Sequence, residues 1–373
     1  MSKNPTIISI LDYKNLRYGS MEDYVLELSR YLKSKGIKHV VILREFVSDW
    51  FREMLAREQV TVELLTVVKG WHFYASLVRI IKFYKPVVVH FHFFPYISLI
   101  PWITHFMGVK KIVFTDHMSL KYPRGRLSRL QRNIKARILT AKVSKIIAVS
   151  KFVQDRMVHE LGISLVKTNL LYNCINLQRF MKANPVTIRN EFKISPGKKI
   201  IVTVCWLIRE KGVQYLIEAI SIILKKGLGV KLIVVGDGPE KDALKKLSCE
   251  LGLSDNVIFT GFRNDVENFL ACADIFVLHS LWEEAFGLVL VEAMAAGKPI
   301  VATNLGAIPE IVVDRATGIL VEPRDINGLA ASIQKILEDK QLKERMGRQA
   351  QELAKRYDLG IYVQKIVEIY DCA

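Results

Sequence analysis

Cysteine is scarce in this chain and no cluster shows metal-ligand spacing. The five cysteines, Cys174, Cys205, Cys249, Cys272 and Cys372, are widely separated and form no C-x-x-C. That disfavours both a disulfide framework and a zinc site, and leaves reduced thiols of a cytosolic protein, most of them buried. Acidic residues are sparse in the first half. To residue 190 there are 31 Lys plus Arg against 12 Asp plus Glu, or +19, while the remainder has 23 against 25, or −2. A positive excess on one half suggests an anionic partner, whether a lipid surface, a phosphorylated acceptor or nucleic acid. Long apolar runs are missing too. Residues 6–11 are too short for a signal-peptide core. The one uncharged stretch long enough to span a bilayer, 86–109, is broken by His90, His92, His105, Pro95 and Pro101, and reads as strand, turn and short helix.

What is present is a repeated grammar of short β-branched runs, each followed by a helical pattern. "TIISIL", "HVVILR", "VTVELL", "VVVHFH", "KIVFTDH" and "KIIAVS" occupy the first half; "IIVTVC", "KLIVVG", "VIFTGF", "IFVLHS", "PIVAT" and "GILVE" the second. Strands buried on both faces and alternating with helices form parallel, doubly wound sheets. Twelve strands are too many for one such sheet. Periodicity fades in "NLQRFMKANPVTIRNEFKISPGKK", so the expectation is two Rossmann-like domains, 1–185 and 186–356, with residues 357–373 packing back onto the first. Open α/β sheets bind ligands at the carboxyl ends of their strands, in a cleft here.

The second half holds a candidate site. In "EEAFGLVLVEAMAAGKPIVA", Glu292 is the sole charge in a run that is otherwise apolar from Phe286 to Gly297. A helix from Leu288 to Ala296, apolar all round, reads as buried. Its carboxylate then needs a partner: a structural Lys or Arg, or a ribose diol, which donates two hydrogen bonds to one carboxylate. The helix start beside Gly287 offers free amides and a positive dipole end to phosphate. Glu284 lies in the preceding loop. Arg209 and Lys211 follow another strand and suit a diphosphate, although basic residues are common in such loops. A tight Gly236-Asp237-Gly238 turn follows a third strand, and neither G-x-G-x-x-G nor a P-loop occurs.

Taken in order, "GSMEDYVLELSRYLKSKGIKHVV", "FTDH", "IIAVSKFVQDRM", "LLYNCINLQRF", "IREKG", "VVGDGPE", "VIFTGFRNDV" and "EEAFGLVLVEAMAAGKPIVAT" resemble the retaining glycosyltransferases of family GT4. That family has the GT-B fold, two Rossmann-like domains across a cleft, and an E-x7-E motif. The resemblance implies that Glu292 binds the donor ribose, Glu284 touches the transferred sugar, and Phe286, Gly287, Leu288 and Val289 hold sugar and phosphate through their amides. It further implies Lys211 on the leaving diphosphate, Phe262 or Arg263 near the nucleobase, Gly19 and Ser20 in the first-domain loop at the donor, and His117 approaching the donor sugar. The chain departs from the pattern at Trp206, where the family has a diphosphate-binding Arg; Arg209 is the candidate replacement. "NCIN" stands for the family's N-G-[IV]-D, and Gly19-Ser20 for a glycine pair. The implied donor is a nucleotide-sugar, UDP-linked by family frequency, and no cofactor or metal is required.

The acceptor is less legible. Ten Lys or Arg and no Asp or Glu lie between His117 and Gln154, and Leu127, Leu130, Ile134 and Ile138 fall on one helical face. This suits an interfacial helix, or a helix with its apolar face in the core and a solvated basic face. The expectation is a cytoplasmic enzyme, peripheral on the inner face of the membrane, acting on a lipid-linked or anionic glycan acceptor. Nucleic acid is not expected, since no known binding signature is visible. Alternatives are a sugar-nucleotide-binding protein without catalysis, a GT-B epimerase or phosphorylase, and a soluble transferase with a small-molecule acceptor.

Overall fold

The computed structural model describes residues 5–13, 18–44, 47–65, 70–118 and 129–370. The chain divides into two compact units, Met1–Cys174 with Leu359–Ala373, and Ile175–Asp358. In the first, strands β1 (Thr6–Leu11), β2 (Lys38–Arg44), β3 (Thr61–Leu65) and β4 (Val88–His92) alternate with helices α1 (Ser20–Ser34), α2 (Asp49–Arg57) and α3 (Trp71–Tyr84). Then come α4 (Ile100–Phe106), β5 (Lys111–Asp116), α5 (Arg129–Leu139), β6 (Lys145–Ala148), α6 (Lys151–His159) and β7 (Thr168–Leu170).

The second unit opens with α7 (Leu177–Met181), α8 (Val186–Glu191), β8 (Lys199–Val204) and α9 (Val213–Lys225). It continues through β9 (Val230–Val235), α10 (Lys241–Glu250), β10 (Val257–Gly261), α11 (Val266–Cys272) and β11 (Ile275–Leu278). Next are α12 (Leu288–Ala295), β12 (Ile300–Thr303), α13 (Ile308–Ile311), β13 (Gly318–Val321), α14 (Ile326–Glu338) and α15 (Lys340–Ala354). The last helix, α16 (Leu359–Tyr370), belongs to the first unit.

Both sheets are parallel throughout, ordered β3-β2-β1-β4-β5-β6-β7 and β10-β9-β8-β11-β12-β13. Strand β7 is additional to the twelve expected; at three residues, "TNL", it is too short and too polar to stand out in the sequence. The passage between units falls at 174/175 rather than 185/186, because α7 and α8 pack on α11 and α12. In each sheet the strand order reverses once, between β1 and β4 and between β8 and β11. Such a reversal opens a crevice at the carboxyl ends of the two flanking strands.

The elements follow from local chemistry. Helix α9 buries Val213, Leu216, Ile217, Ile220 and Ile223 at helical spacing, each contributing about 1.5–3 kcal/mol on full burial. Asp325 and Asp339 cap α14 and α15, accepting from Gly328 N and Leu342 N. Helix α16 lays Leu359, Tyr362, Val363, Ile366, Val367 and Tyr370 into the core formed by α1, α2 and β1. Residues 86–109 form β4, a turn and α4, and among the described residues no helix is long and apolar enough to cross a membrane. Of the described cysteines only Cys174 and Cys272 are buried; Cys205 is intermediate and Cys249 exposed, against the expectation that most would be buried. Cys372 lies outside the described residues.

Candidate active site

In the second unit, the loops after β8, β11 and β12 meet. The loop after β8 forms a short turn, Arg209–Lys211, ending at Gly212 with φ +65°. A Cβ on Gly212 would lie 2.0 Å from His279 O, so only glycine lets this loop seat against the end of β11. Leu281 N donates to Glu210 O at 2.7 Å and fastens the two loops. The result joins two residues that are 73 positions apart. Lys211 Nζ donates to Glu284 Oε1 at 2.5 Å, with side chains 21% and 13% exposed. The pair bridges the switch point, one residue following β8 and the other β11.

Beneath it, the loop after β12 supports the backbone of Glu284: Ala307 N donates to Glu284 O at 3.0 Å, and Gly306 sits at φ +60°. Cys205 lies beside the pair. Burial, reinforced by Glu284 and opposed by Lys211, pushes its thiol up to about 12, so it remains a neutral wall.

Helix α12 starts after Gly287, φ +90°, and among the described residues no side chain caps its first turn. Its environment corrects one expectation. The helix is not buried all round: Leu290, Val291, Ala293, Met294 and Ala295 are buried, but Leu288, Val289 and Glu292 share a partly exposed face. Glu292 follows Leu288 by four residues on that face. Glu292 is therefore partly exposed rather than fully buried, and the desolvation argument for it weakens. Phe286 is buried against Tyr357.

The remaining candidates separate by what their side chains already hold. Arg209 is exposed, and among the described residues its guanidinium makes no hydrogen bond or ion pair. Arg263 is committed, donating to Glu191 at 2.6 and 2.9 Å and to Asp265 at 2.8 and 2.9 Å. Phe262 is 56% exposed and Trp206 50%, their ring centroids 6.0 Å apart. Trp206 and Phe262 thus form an exposed aromatic ledge.

In the first unit, Gly19 caps α1 in extended conformation, its N–H donating to Glu22 Oε2 at 2.9 Å, and Ser20 opens the helix. Glu22 is 2% exposed, and desolvation raises its pKa although Tyr13 donates to it at 2.9 Å. His117 follows β5. Desolvation lowers its pKa to about 3, so the ring is neutral. Asp116, buried beside it, accepts from Tyr96 Oη and Met118 N at 3.0 Å each. His92, Phe93, Glu22 and Cys205 were not named as site residues from the sequence. The H-x-H of "VVVHFH" carries the signal for His92, since alternate residues of a strand share a face.

Helix α5 presents Leu130, Ile134 and Ile138 outward, 69%, 49% and 57% exposed, while Ala136 is buried. Leu127 lies outside the described residues. Helix α4 adjoins α5: Trp102 Nε1 donates to Ile138 O at 2.9 Å, Lys142 sits over the Trp102 ring, and Phe106 is 70% exposed. These exposures speak against the reading that seats this face in the core.

Two parallel α/β units with these switch-point loops define the GT-B fold, and solved structures agree. The HepE protein of Anabaena in complex with UDP-glucose is 24% identical with a TM-score of 0.81, covering 98% of this chain and 100% of that one. A glycosyltransferase of Rickettsia africae ESF-5 is 22% identical with a TM-score of 0.82, covering 99% and 98%. At these identities the likeness concerns fold. The family models Glycosyltransferase Family 4 and Glycosyl transferases group 1 match residues 21–179 and 186–353. The chain belongs to the GT4-type glycosyltransferases. Among curated relatives, N-acetyl-alpha-D-glucosaminyl L-malate synthase of Bacillus anthracis is 36% identical over 192 residues, 50% of each chain. The lipopolysaccharide core biosynthesis glycosyltransferase LpsE of Rhizobium meliloti is 34% identical over 153 residues, 41% of this chain and 44% of that one. The chain spans about half the length of the curated relatives it matches.

Proposed function

We propose that this protein transfers a sugar, with retention of anomeric configuration and without a metal, from a UDP-sugar to a hydroxyl of a lipid-linked or anionic glycan acceptor. The observation that carries the proposal is the Lys211–Glu284 pair at the switch point, below the open start of α12. An incoming diphosphate takes the Lys211 ammonium and the α12 amides. Glu284, released from its cation, then accepts from hydroxyls of the transferred sugar, while Glu292 on the partly exposed face of α12 accepts from the ribose. Phe262 stacks on the base, and Arg209 adds charge to the departing phosphate in place of the family Arg. Positioned cations and amides stabilise that leaving group, and losing one such donor costs on the order of 100-fold in rate. His117, neutral at the end of β5, offers its ring to a sugar hydroxyl.

A diphosphate-linked donor is consistent with HepE, which was solved with UDP-glucose, and an envelope acceptor with LpsE, which acts in lipopolysaccharide core biosynthesis. The exposed stripe of α5 with its basic neighbours supports a peripheral place on the cytoplasmic leaflet, where each Lys or Arg near the surface contributes about 1 kcal/mol.

Thermal shift with UDP-, GDP- and ADP-sugars tests the donor assignment. At 100 times its dissociation constant a donor stabilises the protein by about 2.7 kcal/mol, and Glu292→Ala abolishes most of that shift. Indifference of the wild type to every nucleotide, or an equal response in the variant, overturns the assignment.

A further inference from the structure

We infer that His92 is a positioning residue which fixes His117 as the Nδ1–H tautomer, turning a hydrogen-bond donor outward from the end of β5. The inference rests on the reading of His117 as a site residue and adds how its chemistry is set.

His92 ends β4 and is fully buried. Its Nδ1 lies 3.2 Å from His117 Nε2. Both rings are neutral, burial holding their pKa values below the ordinary histidine range. One proton therefore occupies the contact, and it belongs to one ring or the other.

The far side of His92 decides which. Its Nε2 is sealed from solvent and, among the described residues, has no hydrogen-bond partner. If His117 donated, His92 Nδ1 would accept and its own proton would sit on Nε2 as a buried N–H with no acceptor. If His92 donates, Nε2 is left with an unused lone pair. Orphaned buried N–H groups are rarer in folded proteins than under-used acceptors, and either orphan carries a desolvation cost. The donor is His92. His117 Nε2 then accepts, and its proton resides on Nδ1.

The rest of the pocket holds that arrangement. Among the described residues the His117 ring makes no second hydrogen bond, and it keeps a partly exposed edge. Phe93 is a non-glycine residue at φ +64°, and its ring stacks on His117 at 4.4 Å and 22°. A left-handed phenylalanine is strained, and such strain concentrates at functional sites. His90 backs His92 at a ring distance of 3.9 Å and cannot supply the missing partner. Its two nitrogens are taken by Tyr370 Oη and Thr115 Oγ1, each at 2.7 Å. An outward Nδ1–H suits an oxygen acceptor, whether a sugar hydroxyl or a phosphate oxygen.

Long-range proton–nitrogen correlation of histidine-labelled protein, assigned by loss of signals in His117→Gln, reads the tautomer without reference to activity. The expected spectrum shows a protonated Nδ1 and a bare Nε2 on His117. A protonated Nε2 in the wild type overturns the inference. His92→Phe, which keeps a flat ring and removes the donor, returns the His117 proton to Nε2 and lowers kcat on the order of 100-fold with little change in donor KM. His92→Asn, whose amide donates from nearly the same place as Nδ1, restores both tautomer and most of the rate. An unchanged tautomer in a folded His92→Phe variant also overturns the inference. Should the tautomer be as stated while His117→Gln keeps full activity, the functional reading of His117 fails and the proton assignment stands.

Discussion

Lys211→Met offers the most direct test of the proposed donor site. The substitution removes the ammonium and keeps the stem that packs beside Cys205. It strands Glu284, whose side chain is only 13% exposed, without its 2.5 Å partner. A hydrogen bond between charged groups contributes about 1.5–3 kcal/mol, and the residual exposure of both partners moves this one to the lower end, about 1.5–2 kcal/mol. For a unit of this size each kcal/mol shifts Tm by about 2–4 °C, so the expected loss is about 3–8 °C. Glu284→Gln loses less, because Lys211 reaches water more easily. The double variant then shows a coupling energy of about 1 kcal/mol or more in a double-mutant cycle. The second readout is UDP affinity by calorimetry. Lys211→Met weakens it about 10- to 100-fold, whereas Glu284→Gln leaves it equal or tighter, since the carboxylate no longer competes for the ammonium. Additive stabilities within about 0.5 kcal/mol, or unaltered UDP binding by Lys211→Met, would refute the ion-pair exchange.

Three further outcomes are expected. Gly306→Ala drives a Cβ to 2.7 Å from Glu284 N at a backbone of φ +60°, so thermal melts show a loss of at least about 1 kcal/mol and donor turnover falls with it; wild-type turnover would mean that the Glu284 loop has no part in the chemistry. Ile134→Ser with Ile138→Ser changes stability by no more than about 0.5 kcal/mol, because both side chains are exposed, yet lowers binding to anionic vesicles in sedimentation assays; unchanged vesicle binding removes the membrane assignment. His39, hydrogen-bonded to Ser9 and Ser29 at 2.8 and 2.7 Å, is held by burial at about 3. Between the ordinary value near 6.5 and about 3 the unfolded chain takes up a proton that the fold refuses, so stability is lost as pH falls through that window, by about 1.4 kcal/mol per pH unit. Urea melts from pH 7 to pH 4 show a shallower slope for a folded His39→Gln than for wild type; equal slopes overturn this reading.

Legibility in the sequence tracked the kind of force involved. The β-branched runs that fill both sheets announced themselves, since a strand buried on two faces must be apolar along its length. Strand β7 did not, because an edge strand of three residues needs only one good neighbour. Lys211 and Glu284 were both visible as charges after strand ends, yet their pairing was hidden: it depends on Gly212 lying flat against His279, a contact that sequence spacing cannot encode. Glu292 shows the reverse. An all-apolar run implied burial all round, but Leu288, Val289 and Glu292 are only partly buried. Apolarity states what a helix tolerates, and tertiary packing decides what covers it. The same ambiguity ran the other way in α5, where the pattern fitted both an interfacial face and a core face, and Leu130, Ile134 and Ile138 turned outward. His92 was read only as an interruption of an apolar stretch, because its role lies in a bond to a residue 25 positions further on.

Helix α16 has a consequence for how the protein is made. Its six core residues complete a hydrophobic cluster whose other members lie before residue 175, and the ribosome delivers them only after the entire 175–358 unit has been synthesised. The later unit is free to fold while the earlier one still waits for its closing segment, with helix α1 lacking its final cover. Shortening the chain by those last turns would therefore injure the half translated first, and the interval before they emerge is when nascent chains most need a chaperone.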